Sequence, residues 1–475
     1  MARLTSLLPA ILFIRSAVRK PVWFIGGIWW LYGCSSPTPE EPDPVPEPVF
    51  PVGTPATSFD AEVAVKWGQM TLRVTTRTPG NTPTYASRAF GYMGLAMYET
   101  TVHGIPDHQS LARQLSGLRR FPLPKTDSVY SWPLALNAGQ SYLLKNLYEH
   151  TSFPNKTAVD SLETAIRRTY GDTLKPAVVA RSVAFGQAVA AALYAWSEGD
   201  GGHQGYKDPF PTDYQLATAP GSWIPPSDGQ VAIRRALHPR WGSNRPFAPA
   251  NGGLAIPKPV IYSTNPSSEY YKLYKAVYVK NNQLTQEEKE IALWWADDPS
   301  QTFTPPGHSY NLATITVRTT NATLAKAVET YARVGMAVAD AFINCWKCKY
   351  TYTNERPSSF VRANIDKTWF PFWPEPPFPG FPSGHATQSA ATATVLTQLY
   401  GENVKLVDDS HSGRPKDSFR QVEFKSHPFD SFWATAQESA YSRFLGGIHT
   451  QQDNDTGLRE GKTIGGNINQ LQWMK

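Results

Sequence analysis

Three short segments after residue 348 bring basic side chains and histidines together. They are Lys349 to Arg356-Pro357, then Pro382-Ser383-Gly384-His385, then Ser442-Arg443 followed by His449 and Asp453. Lysine and arginine neutralise a compact, multiply charged oxyanion, and the guanidinium fork matches the spacing of its oxygens. Together the three segments predict a pocket for a tetrahedral oxyanion, either vanadate or phosphate.

Two of these segments combine a histidine with a helix end. Ser383 and Gly384 precede a helix predicted from Ala386 to Tyr400, and the free N–H groups at a helix N-terminus attract anions. His385 can donate or accept a proton there. Gly446-Gly447 is predicted to break a helix so that His449 begins a new one, with Asp453 on the same face to fix the imidazole tautomer. Each pattern taken alone also fits an ordinary capping or structural role.

Read in order, the motifs Lys-x6-Arg-Pro, Pro-Ser-Gly-His and Ser-Arg-x5-His-x3-Asp resemble a known three-part signature. It belongs to the superfamily that joins type-2 phosphatidic-acid phosphatases, bacterial acid phosphatases and vanadium-dependent haloperoxidases. Further features resemble the bacterial haloperoxidase branch. They are Trp346 three residues before Lys349, Phe378 five before Ser383, the segment from Trp294 to Asp298, and the loop from Trp241 to Phe247. The resemblance is strongest from residue 290 onward.

Membership of that branch implies a vanadate cofactor and a role for each residue of the signature. His449 is the implied axial ligand of the metal, and His385 is the implied general acid–base. The groups implied to hold vanadate oxygens are Lys349, Arg356, Ser383, Gly384 and Arg443, with Lys349 also polarising bound hydrogen peroxide. Around them, Asp298 is implied to pair with the arginines and Asp453 to orient His449, while Trp346 and Phe378 line the path of the halide. The implied reaction oxidises a halide with hydrogen peroxide to hypohalous acid, which then meets a small organic acceptor.

Two alternatives use the same oxyanion pocket. In an acid phosphatase, His449 would attack phosphorus to form a phosphohistidine, and His385 would protonate the leaving oxygen. A non-catalytic oxyanion-binding or cell-surface protein is the third class, which an intact acid–base pair disfavours. The halide preference is not fixed by the sequence, although Phe378 favours chloride.

The elements that must position these segments are predicted to be helices. Apolar residues recur at three- and four-residue spacing in 61–75, 85–102, 156–170, 176–197, 267–280, 285–296, 311–347 (one helix or two), 386–400 and 431–445. A Thr-x-x-Glu capping box is predicted at Thr285 and Glu288. The fold class is therefore predicted to be all-α, a helical bundle arranged as two packed four-helix bundles with long Pro/Gly-rich loops.

Composition agrees with a large folded core joined by long loops. The 475 residues are 41% hydrophobic and include 15 tryptophans, 41 prolines and 34 glycines. Many of the loop-forming residues fall in 203–262, which predicts a cleft-shaping loop. Cys345 and Cys348 are expected to be buried helix residues, with a local disulfide or redox pair as the alternative. The remaining histidines are expected to be structural, although His308 could lie near the cleft.

The N-terminus reads as an export signal. Residues 1–33 resemble a lipoprotein-type signal peptide that ends just before Cys34, the predicted lipidation site. Residues 34–58 are predicted to form an acidic Pro-rich linker. A helical domain is predicted over 59–475, with its catalytic segments in 290–460. A plain secretory signal or an uncleaved anchor is the alternative. The signal holds four of the 45 basic residues, so 41 basic and 39 acidic residues remain and no nucleic-acid partner is expected. The prediction is an exported bacterial protein attached to a membrane by its lipid.

Overall fold

The computed structural model describes residues 53–475, which form helices and one short antiparallel pair of strands. The helices are α1 (Glu62–Arg77), α2 (Pro83–Glu99), α3 (Trp132–Leu147), α4 (Phe153–Gly171), α5 (Pro176–Glu198), α6 (Pro249–Gly252), α7 (Glu269–Asn281), α8 (Gln286–Trp294), α9 (Thr304–Thr319), α10 (Leu324–Tyr352), α11 (Pro357–Asn364), α12 (Gly384–Tyr400), α13 (Phe432–Leu445) and α14 (Gln451–Asn469). The strands are β1 (Leu406–Asp408) and β2 (His427–Phe429), paired so that Leu406 lies opposite Phe429. The all-α prediction is confirmed for this part of the chain.

The N-terminal predictions concern a part of the chain that the structure does not describe. The signal segment, Cys34 and the linker as far as residue 52 lie outside the described residues. Export, lipid attachment and membrane location therefore stay predictions.

Helix α10 connects two groups of helices. It packs against α2 and α9, and also against α12 and α14. Because helices cover it on several sides, its side chains are buried along most of its length, from Leu324 to Lys349. The contact with α2 requires glycine, since a Cβ added at Gly94 would lie 2.2 Å from the carbonyl oxygen of Tyr331. The long helix thus holds Lys349 in its last turn on a rigid support.

Some elements differ from the sequence prediction for local physical reasons. Helix α3 was not predicted, because it is buried on nearly all sides and therefore lacks the polar face that produces a helical period. Residues 311–347 contain parts of two helices, α9 and α10, separated near Asn321. The helix predicted to begin at His449 begins at Gln451, with Thr450 as its N-cap. The capping box of Thr285 and Glu288 is confirmed.

Helix α5 is the one described helix that is long and apolar enough to cross a membrane, judged by length and composition alone. It packs closely against α3, because Gly186 brings the two backbones together. A Cβ added at Gly186 would lie 1.9 Å from the carbonyl oxygen of Ala135. One helix of this kind is weak support for a membrane span, and its contact with α3 accounts for the run of small residues.

A similar close contact supports the helix that carries Ser383 and His385. On α14, a Cβ added at Gly461 would lie 2.1 Å from the carbonyl oxygen of Thr387 on α12, whereas Gly466 of the same helix has open space around that position. We expect Gly461→Ala to destabilise the protein by about 3 kcal/mol or more, because overpacking here meets backbone. Gly466→Ala is the matched control, expected to be neutral or to stabilise by up to ~1 kcal/mol through helix propensity. Thermal or denaturant unfolding checks both, and equal effects of the two substitutions would contradict the close contact.

Candidate active site

A cavity of about 490 Å³ is lined by residues from the predicted oxyanion segments and the predicted cleft loop. Its wall includes Trp346, Phe378, Gly384, His385, Arg443 and His449. From the loop over 203–262 come Pro209, Phe210, Val231, Ile233 and Leu237. The prediction that this loop shapes a cleft is confirmed, and the structure brings the separate segments into one site.

Lys349 and Arg356 lie behind this wall and are fully buried. Lys349 Nζ donates to the carbonyl oxygens of Pro379 (2.8 Å), Gly380 (2.8 Å) and Pro382 (2.6 Å). All three ammonium protons therefore hold the loop that leads into α12. To reach an oxyanion, Lys349 has to exchange one of these carbonyl acceptors for it.

Arg356 and Arg443 approach the cavity from two different elements. Pro357 keeps Arg356 extended at the start of α11, as its position before a proline predicted. Arg356 donates to the carbonyl oxygens of Phe378 (Nε, 2.8 Å) and Ile448 (Nη1, 2.8 Å). Arg443, near the end of α13, donates through Nη2 to the carbonyl oxygen of Ala292 at 2.7 Å. Backbone oxygens thus fix both guanidinium groups before any anion binds.

Burial of three cations in one place makes the site attractive to an anion. Burial, assisted by the positive charge of Arg356, lowers the pKa of Lys349 to about 8. Burial also lowers the pKa values of Arg356 and Arg443 to about 10 each. A bound oxyanion would offset both the desolvation and the mutual repulsion, which is the chemistry expected of an oxyanion pocket.

Ser383 is the N-cap of α12, with Gly384 and His385 in its first turn. The Ser383 hydroxyl accepts a hydrogen bond from the backbone N–H of Ala386 at 3.4 Å. His385 Nε2 donates to the carbonyl oxygen of Trp295 at 2.9 Å, and since a carbonyl only accepts, this bond places the ring proton on Nε2. Burial, then the charge of Arg443, lowers the pKa of His385 well below its usual value. The neutral ring keeps Nδ1 free to accept a proton.

His449 precedes α14, where Asp453 closes a capping box with Thr450. The Asp453 carboxylate accepts from His449 Nδ1 at 3.0 Å and from the Thr450 N–H at 3.0 Å. Burial and the nearby Arg356 and Lys349 lower the pKa of His449 well below its usual value. The ring is therefore neutral with its lone pair on Nε2, which lies 3.4 Å from Arg356 Nη1.

The two predicted aromatic residues contact each other at the cavity wall. The rings of Trp346 and Phe378 have centroids 4.8 Å apart. The Phe378 ring also lies against both buried cations, 5.3 Å from Lys349 Nζ and 5.1 Å from Arg356 Cζ. Cys345 and Cys348 are buried free thiols on α10, as expected, and Cys345 Sγ lies 3.7 Å from the Pro382 carbonyl oxygen.

Adjacent aspartates in the segment after α8 have different environments. Asp298 lines the cavity near Arg443, and burial raises its pKa to about 7 although Arg443 opposes that shift. Within residues 53–475, no direct ion pair joins Asp298 to an arginine, so its predicted pairing is limited to this longer-range attraction. Asp297 was not predicted. It is buried and hydrogen-bonded to His308 and His411, at 2.7 Å and 2.8 Å.

Comparisons with known proteins agree with this geometry. A protein-family profile described as the VCPO second helical-bundle domain matches residues 329–473. The vanadium chloroperoxidase of Curvularia inaequalis is 26% identical, in an alignment covering 34% of this chain and 35% of that protein. The chain thus spans about a third of the length of that curated relative. A crystal structure of a bacterial vanadium-dependent iodoperoxidase is similar with a TM-score of 0.76 and 29% identity, over 88% of this chain and 97% of that one. These comparisons support the interpretation of this chain as a vanadium haloperoxidase.

A second solved structure shares the fold of this chain. It is a holo-type bacterial vanadium-dependent chloroperoxidase, with a TM-score of 0.62 and 17% identity over 87% of this chain and 98% of that one. The donor set described above fits the vanadate that the names of these similar proteins imply. A neutral imidazole nitrogen of His449 is available as a metal ligand. Buried guanidinium groups and the N-terminus of α12 can balance the charge of the oxygens.

Proposed function

We propose that this protein is a vanadate-dependent haloperoxidase, an oxidoreductase that uses hydrogen peroxide to convert a halide to hypohalous acid. One observation carries the proposal: a neutral His449, with Nδ1 held by Asp453 and the Nε2 lone pair 3.4 Å from Arg356 Nη1, lies among buried cations in a cavity that it shares with His385. The proposed cofactor is vanadate, and the proposed final acceptor of the halogen is a small organic molecule. Its identity and the preferred halide are open.

Bound vanadate would supply a Lewis acid that activates hydrogen peroxide toward the halide. His449 would bind the metal through Nε2, while Asp453 holds the opposite ring nitrogen and so fixes the direction of the lone pair. Arg356 and Arg443 would balance the charge of the oxygens. Ser383 and the N–H of Gly384 would add neutral donors at the start of α12.

We assign proton transfer during turnover to His385. Hydrogen peroxide, a halide ion and a proton give hypohalous acid and water, so protons must leave and re-enter the reacting oxygens during each turnover. His385 Nδ1 can accept a proton from hydrogen peroxide, because Nε2 is already committed to the Trp295 carbonyl. The rings of Trp346 and Phe378 would keep water away from the halide on the neighbouring wall.

The proposal is tested by following halide oxidation and phosphate-ester hydrolysis in the same preparation. Purified protein is supplied with orthovanadate and hydrogen peroxide, and oxidation of iodide, bromide and chloride is measured separately. All three halides are needed, because Phe378 favours chloride whereas a similar solved structure is of an iodoperoxidase. We expect halide oxidation that requires orthovanadate and is inhibited by inorganic phosphate, which competes for the same cations.

A second assay decides between the two enzyme classes. Hydrolysis of p-nitrophenyl phosphate is measured without and with orthovanadate. Vanadate-inhibited hydrolysis combined with absent halide oxidation would overturn the proposal in favour of the phosphatase. Absence of both activities in a folded protein that binds vanadate would favour a non-catalytic oxyanion-binding protein.

A further inference from the structure

A buried charged cluster lies beside the oxyanion cavity, which one of its members, Asp297, also lines, and it joins the segment after α8 to α9 and to the region of β1. It consists of Asp297 after α8, His308 on α9, Asp408 on β1, and His411 after β1. His308 donates from Nδ1 to Asp297 and from Nε2 to Asp408, both at 2.7 Å. His411 Nε2 lies 2.8 Å from the second oxygen of Asp297. All four residues are at most 2% exposed, so these bonds are shielded from water.

The bonding pattern makes His308 an imidazolium. A histidine that donates both ring N–H groups carries a positive charge, and two carboxylates accept from it. Burial alone would lower the pKa of His308, but Asp408 and Asp297 outweigh burial and raise it to about 10. Each carboxylate accepts a further donor: Trp294 Nε1 donates to the same Asp408 oxygen as His308 (2.8 Å), and Thr302 Oγ1 donates to the same Asp297 oxygen as His411 (2.9 Å). The other Asp408 oxygen accepts from the Ser410 N–H at 3.0 Å. The cluster is thus a saturated ion-pair network.

This network adjoins the segment that contacts the catalytic side chains. Trp295 stacks on His308 with ring centroids 4.3 Å apart, and its carbonyl oxygen accepts from His385 Nε2. One turn earlier, the Ala292 carbonyl oxygen accepts from Arg443. Asp297 has φ +52°, and Ser300 and Thr304 also have positive φ, so the segment adopts backbone that non-glycine residues rarely hold without strong side-chain contacts.

We propose that Asp297, His308, Asp408 and His411 form a positioning network that holds the Trp295 carbonyl, and through it the reactive tautomer of His385. These residues do not touch the reacting atoms. They fix the turn after α8, which in turn fixes the ring nitrogen that exchanges the proton. Their effect on turnover rests on the proposed haloperoxidase function, whereas their effect on the His385 ring does not.

The first test observes histidine rings directly, in protein prepared without vanadate. Long-range proton–nitrogen spectra of histidine-labelled protein report the protonation of each ring. The groups facing His385 are Arg443, Asp297 and His308, and those facing His308 are Asp297, Asp408 and the His411 ring. We expect His308 to be doubly protonated at pH 7 and His385 to be the single Nε2–H tautomer. A neutral His308 at pH 7 would overturn the proposal without any variant.

The second test compares His308→Gln and Asp408→Asn with a matched buried aspartate elsewhere. Asp200 pairs with Arg88 at 2.6 Å and is also buried, at 5% exposed, but it lies outside the wall of the active-site cavity, so Asp200→Asn is the control. Both network variants should lower turnover about 10- to 100-fold through misplacement of His385, with vanadate affinity changed less than about threefold. In both variants the His385 ring should populate the Nδ1–H tautomer as well as the Nε2–H tautomer. Asp200→Asn should lower the melting temperature without either change.

The melting temperature measured as a function of pH provides a third test of the network. Because the pKa of His308 is raised from 6.5 to about 10, its stabilising effect is fully present below pH 6.5 and is lost as pH rises through about 10. His308→Gln should therefore remove part of the alkaline fall in melting temperature. Network variants that behave like Asp200→Asn in every measurement would overturn the positioning role.

The same cluster offers donor atoms of Asp297, His308 and His411 within 4.8 Å of one another, which is close enough to hold a metal ion. The hydrogen bonds already satisfy these atoms, so we expect metal analysis of dialysed protein to find no stoichiometric divalent ion. One zinc ion per chain that is lost in His308→Gln would replace the ion-pair network with a metal site and overturn the proposal.

Discussion

Replacing His449 by alanine is expected to abolish vanadate binding and halide oxidation together. The substitution removes the proposed metal ligand and leaves the three buried cations in place. The loss should exceed ~100-fold in vanadate affinity, because even outer partners of a metal-bound histidine cost about 10- to 100-fold when replaced. Equilibrium dialysis with orthovanadate, followed by metal analysis, measures the affinity, and bromide oxidation measures the activity.

A graded variant separates ligand loss from a general disturbance of the site. Asp453→Asn keeps the His449 ring but weakens the bond that fixes its tautomer, so its vanadate affinity should fall by about 10- to 100-fold. The melting temperatures of both variants show whether the fold is intact. Vanadate binding by a folded His449→Ala protein at the wild-type affinity would mean that the cations alone hold the oxyanion and that the ligand assignment is wrong.

The parts of the site that sequence predicted are those fixed by local chemistry. Ser383 caps α12 because a serine before a helix accepts a backbone N–H, and that relation spans only three residues. Asp453 reaches His449 because a capping box places the two side chains together. Pro357 alone keeps Arg356 extended. Because these relations join residues that are close in the chain, they can be predicted from a single sequence.

The parts that sequence could not predict depend on contacts between distant segments. His308 meets Asp408 across 100 residues and Asp297 meets His411 across 114, so no spacing rule connects them. Nor could sequence separate the two adjacent aspartates, because the left-handed backbone at Asp297 and its bonds to His308 and His411 arise only in the folded segment. The three carbonyl acceptors of Lys349 were missed for the same reason, since they depend on the folded path of the loop before α12.

The helices show the same contrast between features with a local sequence signal and features that depend on distant contacts. Most long amphipathic helices were located to within a few residues, because one exposed face leaves a period in the sequence. The short helix α11 was not predicted, and α9 begins at Thr304, ahead of the predicted start at residue 311. Helix α3 leaves none, since its neighbours cover it on nearly every side. A fully covered helix can be recognised only once the helices around it are placed.

Replacing His385 by alanine is expected to lower turnover by about 10² to 10⁴-fold while vanadate still binds. The reason is that His385 moves a proton but carries little of the oxyanion charge, since burial and Arg443 keep the ring neutral at pH 7. His449 and the arginines would continue to hold the cofactor. Steady-state bromide oxidation gives the turnover, and dialysis with orthovanadate gives the affinity.

The pH dependence should distinguish a proton-transfer role from a purely steric one. Because the pKa of His385 is lowered well below 6.5, the wild-type ring stays neutral near pH 7 and becomes protonated only in more acidic solution. The rate of peroxide activation should therefore fall on that acidic side in the wild type, and His385→Ala should lose this limb of the profile. His385→Gln, which can still donate to the Trp295 carbonyl but cannot exchange a proton, should behave like the alanine variant. A glutamine variant with near wild-type turnover would show that His385 only holds the turn after α8, and the proton would then need another carrier.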